Sequence, residues 1–268
     1  GLAQVRMLAA RKGIALAVLP ADGRPDAQLD AASTLPVGTL RRLQHLSDQG
    51  GEVAAQAALQ QLALASGFYG APVPGVRGVA EVGGWTPAQG VTCPAAFAAA
   101  SKRPRILLTF YRSYLTAADL DPLAALAGAF EAHGFDVLGL FVPSLKQAQA
   151  RPWLTRWVKA LAPAAVVNAT AFSARDEAGS AVLETAGAPV FQVALATNDR
   201  ARWHTSEHGL SPADLAMHVV LPEVDGRVFA GVASFKQSAP PDPDLQFART
   251  EHRAEPERIA AIADRATG

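Results

Sequence analysis

The sequence has a single cysteine, Cys93, among its 268 residues. One thiol excludes an intrachain disulfide and fits a reducing, cytoplasmic compartment. A lone cysteine is more often a small buried hydrophobe than a nucleophile. An excess of either charge is also missing: 24 Lys and Arg face 24 Asp and Glu, for a formal net charge of zero. A neutral chain has no electrostatic footprint for nucleic acid or for an anionic membrane surface. No uninterrupted apolar run approaches the roughly 20 residues of a membrane span. Neither a G-x-x-x-x-G-K-[ST] loop nor a G-x-G-x-x-G turn after a strand occurs, so no nucleotide-binding residues are expected here. No Cys/His cluster has the spacing of structural zinc.

What is present is a globular composition, 50% hydrophobic and 18% charged, on a chain long enough for one large or two modest domains. It enters a helical pattern at Leu2 and stops in another near Ala266, which reads as two cuts in a longer polypeptide. The first 68 residues read as helix, strand, then helices. The pattern predicts a helix to Lys12 stopped by Gly13, a buried strand over 14–19, a helix from Pro36 to about Ser47, and another over 51–65. Residues 69–102, rich in Gly and Pro, read as a linker. From Arg103 strands and helices alternate. Strands are expected over 106–110, 137–142, 165–168, 189–194, 218–221 and 228–232. Helices are expected from Asp121, over 153–161, 179–186 and 200–207, with a capped turn at Ser211 to Asp214. That alternation predicts an α/β fold: a doubly wound, mostly parallel sheet over 103–240, preceded by the tail of another α/β-helical domain. Residues 241–268 read as the start of a following region.

Open parallel sheets bind ligands at the carboxyl ends of their strands. Those ends carry Tyr111, Arg112 and Ser113, then Lys146, then Asn168, Thr170 and Phe172, then Asn198, then Glu223 and Asp225. Loops are polar in any case. Yet Tyr, Arg, Lys and Asn interleaved with large apolar residues suit a pocket for a large, flat, partly anionic ligand. Glu223 and Asp225 lie two apart, so an extended segment points both the same way. Such a pair takes a proton or holds a divalent cation; alternatively Asp225-Gly226 is a hairpin turn and Glu223 is simply solvated. His204, Glu207 and His208 match the H-x-x-E-H pattern of inverted zinc proteases, but Gly209 stops the helix at once. His218 reads as a core histidine; His45, His133 and His252 read as surface.

Several runs together resemble one family. They are TFYRSYL from Thr109, LFVPSLK from Leu140, VNATAFS from Val167, PVFQV from Pro189, GLSPAD from Gly209 and VVLPEVDG from Val219. Phe235-Lys236, Asp244 to Phe247 and RKGIALAVLP from Arg11 continue the series. In this order they resemble the CobN-type large subunit of aerobic cobaltochelatase, and more weakly the large subunit of magnesium chelatase. The resemblance implies a metal chelatase acting in cobalamin biosynthesis. The reaction would be ATP-dependent insertion of cobalt(II), the substrate metal, into the corrinoid hydrogenobyrinic acid a,c-diamide. ATP and magnesium would be held by a separate AAA+ ATPase subunit, partnered by a third subunit. In that setting Arg112 and Lys146 would pair with peripheral carboxylates, Tyr111 and Phe172 would lie against the ring, Asn168, Thr170 and Asn198 would bind side-chain amides, and Ser113 would also be a substrate-binding residue. Glu223, supported by Asp225, would accept a proton or transiently ligate cobalt. The alternatives are a magnesium chelatase-type subunit and a non-catalytic docking module.

Overall fold

A computed structural model describes residues 1–21, 23–70, 78–175, 179–205, 209–241 and 248–268. The chain divides into two units, Gly1–Val79 and Ala80–Gly268.

The first unit is helical. α1 (Leu2–Lys12) ends on Gly13, whose φ of 63° is the left-handed conformation that glycine adopts without strain. α2 (Ala27–Ala32) is opened by Asp26, whose carboxylate accepts from the N–H of Gln28 at 2.8 Å. α3 (Val37–Gln49) and α4 (Glu52–Ala65) pack together and bury Leu40, Leu43, Leu46, Ala54 and Ala57. The strand expected over 14–19 does not form. A strand needs a ladder partner, and the described residues of this unit supply none. Side chains stand in: the Leu16 N–H donates to Thr34 Oγ1 at 2.7 Å and the Val18 N–H to Ser33 Oγ at 2.8 Å.

The second unit is built on β1 (Gly83–Thr86), β2 (Gly90–Thr92), β3 (Arg105–Tyr111), β4 (Asp136–Val142), β5 (Ala165–Asn168), β6 (Val190–Asp199), β7 (Val228–Ser238) and β8 (Thr250–Ala254). Its helices are α5 (Pro94–Ala100), α6 (Arg112–Thr116), α7 (Asp121–Ala132), α8 (Ala150–Leu161), α9 (Arg200–Thr205), α10 (Pro212–Leu215), α11 (Leu221–Val224) and α12 (Pro256–Thr267). The strands form one sheet in the order β2-β1-β4-β3-β5-β6-β7-β8. The five from β4 to β7 are parallel, and β1, β2 and β8 are antiparallel additions at the edges. The fold is thus the expected mostly parallel α/β sheet. β3 reads as one apolar run, Ile106 to Phe110 broken only by Thr109, because both of its faces are covered. α8 lays Leu154, Val158 and Leu161 on Leu107, Leu138, Leu140 and Val166. The alternate residues Ile106, Leu108 and Phe110 point to the other face. Right-handed crossovers put α7 there, since the chain leaves β3 to one side through α7 and returns past it through α8. α12 packs against both α7 and β7.

Four local expectations are corrected. The stretch read as irregular contains the β1–β2 hairpin, which pairs with β4 through Gly83, Gly84 and Trp85. Its glycines serve packing, not a loop: a Cβ on Gly83 would lie 2.5 Å from the Phe141 ring. Residues 250–267 lie within this unit: β8 pairs with β7, and α12 packs on β7 and α7. The apolar residues 218–221 are helical, because α10, a π-turn (Ala216–Val220) and α11 run as a crossover from β6 to β7. A short apolar run does not distinguish a strand from a buried helical turn. The helix expected over 179–186 is reduced to a 3₁₀ turn, Val182–Ala186.

Candidate functional site

In the sheet β3 has β4 on one side and β5 on the other, so the connections leaving β3 and β5 diverge. The parallel order β4-β3-β5-β6-β7 is that of flavodoxin-like sheets, whose ligand crevice opens at this switch point. A cavity of about 320 Å³ lies there, lined by Tyr111 from β3, Ser144 and Lys146 beyond β4, Phe172 and Ser173 beyond β5, and Leu221 from the helical crossover. Among the expected site residues, Tyr111, Lys146 and Phe172 therefore meet. A larger cavity of about 480 Å³ sits beside Val190 and Val228, at the opposite ends of β6 and β7. Its charged groups are already paired, Arg175 with Glu184 at 3.1 Å and Arg227 with Asp225 at 2.7 Å. The smaller cleft has the better chemistry for a ligand.

The loop after β5 forms one wall of this cleft, and side chains below it hold it in place. Thr109, Asn168 and Gln192 lie in register on β3, β5 and β6, all fully buried. Thr109 Oγ1 donates to Asn168 Oδ1 at 2.6 Å, and Asn168 Nδ2 donates to Gln192 Oε1 at 2.7 Å. Thr170 Oγ1 also donates to Asn168 Oδ1, at 3.0 Å, and the Thr170 carbonyl accepts from Gln192 Nε2 at 2.8 Å. Asn168 and Thr170 thus support the loop from inside and do not face a ligand. Tyr111 Oη donates to the Ala171 carbonyl at 2.9 Å and accepts from the Ala171 N–H at 3.2 Å. Burial pushes the Tyr111 phenol up, so it stays a neutral donor.

Other expected residues lie elsewhere. Arg112 Nε donates to the Ala80 carbonyl at 3.0 Å, tying the start of α6 to the segment before β1. Ser113 is exposed on α6. The Asn198 N–H donates to Asp214 Oδ2 at 3.3 Å, behind the end of β6. Glu207 and His208 of the H-x-x-E-H pattern lie outside the described residues, and His204 is exposed.

The carboxylate pair is dissolved. The expected strand before it is helical, so Glu223 is exposed on α11 while Asp225 caps that helix and is buried. Two residues on a helix are about 200° apart and do not share a face. Both Asp225 oxygens are engaged: Oδ1 accepts from Ser173 Oγ at 2.6 Å, and Oδ2 from the Ala174 N–H at 2.5 Å and from Arg227 Nη2 at 2.7 Å. Three donors thus occupy both oxygens and turn the carboxylate inward, away from any ligand.

Sequence reasoning missed Arg227, which is 4% exposed and also donates to Gln192 Oε1 at 3.1 Å. It missed a second buried group as well. Asp214 takes the N–H and hydroxyl of Thr197, and His218 lies four residues on, its Nε2 3.8 Å from Asp214 Oδ1. The i, i+4 spacing was the available signal, hidden by the strand assignment. His218 is a core histidine, and burial pushes its imidazole down against the pull of Asp214. His252, read as surface, is buried too: its ring meets Tyr114 edge-on at 5.6 Å and its Nδ1 lies 3.2 Å from Ser234 Oγ.

Comparison with known proteins settles the family. The family model described as CobN/Magnesium Chelatase matches residues 52–268. The chain belongs to this family. A CobN subunit of aerobic cobaltochelatase from a Sinorhizobium species is 33% identical over 262 residues, 93% of this chain and 20% of that protein. The same subunit from Pseudomonas aeruginosa is 31% identical over 251 residues, 88% of this chain and 19% of that one. The chain thus spans about a fifth of the length of these CobN relatives. A solved structure described as the catalytic subunit of cobaltochelatase from Mycobacterium tuberculosis superposes with a TM-score of 0.72 at 23% identity, covering 98% of this chain and 22% of that one. At that identity the likeness shows the fold alone. Within this CobN-type chain no helix among the described residues is long and apolar enough to cross a membrane.

Proposed function

We propose that this chain is the part of a cobaltochelatase large subunit that grips one edge of the macrocycle during ATP-driven insertion of cobalt(II) into hydrogenobyrinic acid a,c-diamide. The observation that carries this reading is the cleft at the switch point, where a cation, Lys146, sits with Tyr111 and the exposed Phe172. A cavity of about 320 Å³ is at the lower end for small-molecule sites. It takes one rim of a corrinoid with a peripheral carboxylate, not the whole ring. Lys146 supplies a point charge for that carboxylate, and Phe172 supplies a flat apolar face. The names of the two curated relatives support the choice of cobalt and corrin. ATP and magnesium would belong to an AAA+ partner and a third subunit would complete the enzyme, in keeping with a sequence that contains no phosphate-binding loop.

The test is a titration of the full-length subunit with hydrogenobyrinic acid a,c-diamide, followed by tryptophan quenching, with protoporphyrin IX as control. The expected result is saturable binding that prefers the corrinoid and weakens about tenfold in Lys146→Ala, the order of one charge-assisted contact. Preference for the porphyrin would move the reading to magnesium chelatase. Unchanged affinity in Lys146→Ala would leave this cleft as a docking or structural element.

A further inference from the structure

Phe172 is in an unusual backbone state. Its φ is 66°, the left-handed region, and the residue is 48% exposed. Holding a non-glycine residue there costs free energy. Burial does not compensate for that cost, since half of the residue faces solvent at the cleft. The compensation comes from the backbone on either side. The Phe172 N–H donates to the Met217 carbonyl at 2.8 Å, and the Phe172 carbonyl accepts from Arg227 Nη1 at 3.4 Å. The next two residues are held by Asp225, through Ser173 Oγ and the Ala174 N–H.

The side chains of Asp225 and Arg227 are 0% and 2% exposed, so neither meets a ligand while the loop keeps this form. A buried ion pair is weak evidence for stability, because desolvating both charges cancels much of their attraction. Its geometry is the informative part. One partner bonds the loop after Phe172 and the other bonds Phe172 itself, and the pair is joined at 2.7 Å. We propose that Asp225 and Arg227 are positioning residues, a buried clamp that fixes the Phe172 ring as a rigid face for the macrocycle. This rests on the reading of the cleft given above and replaces the acid–base role that the sequence suggested for Asp225. A ring fixed before binding loses little freedom when the ligand arrives, and preorganisation of this kind raises affinity.

The experiment is a double-mutant cycle in the full-length subunit, read as corrinoid affinity. Phe172→Ala and Asp225→Asn are each expected to weaken binding about tenfold, and the double variant is expected to be no weaker than Phe172→Ala alone. Losses that multiply to about a hundredfold would overturn the clamp, because Asp225 would then act independently of the ring. An unaltered affinity in Phe172→Ala, with Lys146→Ala still weakened, would also overturn it while leaving the cleft reading standing. Loss of effect in both would remove the cleft reading as well. If Asp225→Asn proves unfolded by circular dichroism, the same cycle with Arg227→Lys carries the same expectation, since lysine keeps the charge and loses the fork. Phe172→Gly gives a separate readout: affinity should fall as in Phe172→Ala, while the melting temperature rises above that of Phe172→Ala. An equal or lower melting temperature would mean that φ at 172 is not strained, and the clamp would have nothing to hold.

Discussion

Two apolar runs of strand length, 14–19 and 106–110, have opposite fates. Both are short and rich in aliphatic residues. The second is the centre of a sheet: β3 is bonded on one side to β4 and on the other to β5, and Phe110 is 0% exposed. Among the described residues the first has no strand beside it, and Ile14 is 53% exposed. Strand character is therefore a property of the neighbourhood more than of the run, as β-propensity measurements imply. The run in the helical unit satisfies its amides through hydroxyls on residues 33 and 34, which lie close by in sequence.

Truncation should widen that difference the most. Phe110 packs edge-on against Trp85 at 5.7 Å and against Phe141 at 6.2 Å. Phe110→Ala is expected to cost about 3–5 kcal/mol, the range for a large side chain lost from a closed core. Ile14→Ser should stay within about 0.5 kcal/mol, as exposed substitutions do. Urea unfolding of the two variants measures both. Equal costs would mean that the first run is as deeply packed as β3, and the comparison would collapse.

Overpacking comes next in size. Gly139 of β4 lies where a Cβ would be 2.8 Å from the Phe110 ring and 2.9 Å from the Trp85 ring. Gly139→Ala should cost about 1–3 kcal/mol, the usual price of one methyl forced into a filled core. Gly13→Ala, with open space around its Cβ but φ at 63°, would be strained only through its backbone. Comparing the two melting curves separates packing from conformation.

These residues also show what was legible in the sequence. The parallel strands could be read because burial on both faces leaves uninterrupted apolar runs between helix signals. The cleft could be read in part, since the strand-end rule places Tyr111, Lys146 and Phe172 without further knowledge. The edge hairpin was hidden because Gly83 and Gly84 look like loop residues until the aromatic ring above them is known. The clamp was hidden for a related reason: Arg227 reaches Phe172 across 55 residues of sequence. One wrong local assignment, a strand where the π-turn lies, also made Glu223 and Asp225 look like neighbours on one face.

A smaller effect probes the hydroxyl substitute directly. Thr34 Oγ1 accepts the Leu16 N–H, and its own N–H donates to the Leu16 carbonyl at 2.8 Å. Thr34→Ala removes the first bond and keeps the second, so about 0.5–1.5 kcal/mol is expected. The loss should concentrate in the exchange rate of the Leu16 amide, with β3 amides unaffected. A uniform loss of protection in both units would show that their stabilities are not separate.

The smallest expected effect is a difference in acid sensitivity. Asp136, at the start of β4, accepts from Ser101 Oγ at 2.9 Å, from the Lys102 and Arg103 N–H groups at 3.1 Å each, and from Arg103 Nε at 2.7 Å. Desolvation works against the carboxylate, but the Arg103 amide and guanidinium, with Ser101 and Lys102, bring its pKa down to about 2 from 3.8. A carboxylate depressed in the folded state stabilises fully above its ordinary value, and that stabilisation is lost as pH falls through the folded value. Between pH 4 and 2 the protection of the Lys102 and Arg103 amides, at the entry to β3, should therefore fall. The Leu16 and Val18 amides are bonded to hydroxyls, which do not titrate in this range, and their protection should hold over the same interval. Hydrogen exchange corrected for its intrinsic pH dependence measures all four amides in one experiment. Parallel loss at both places would mean that acid acts on the chain as a whole and not through Asp136.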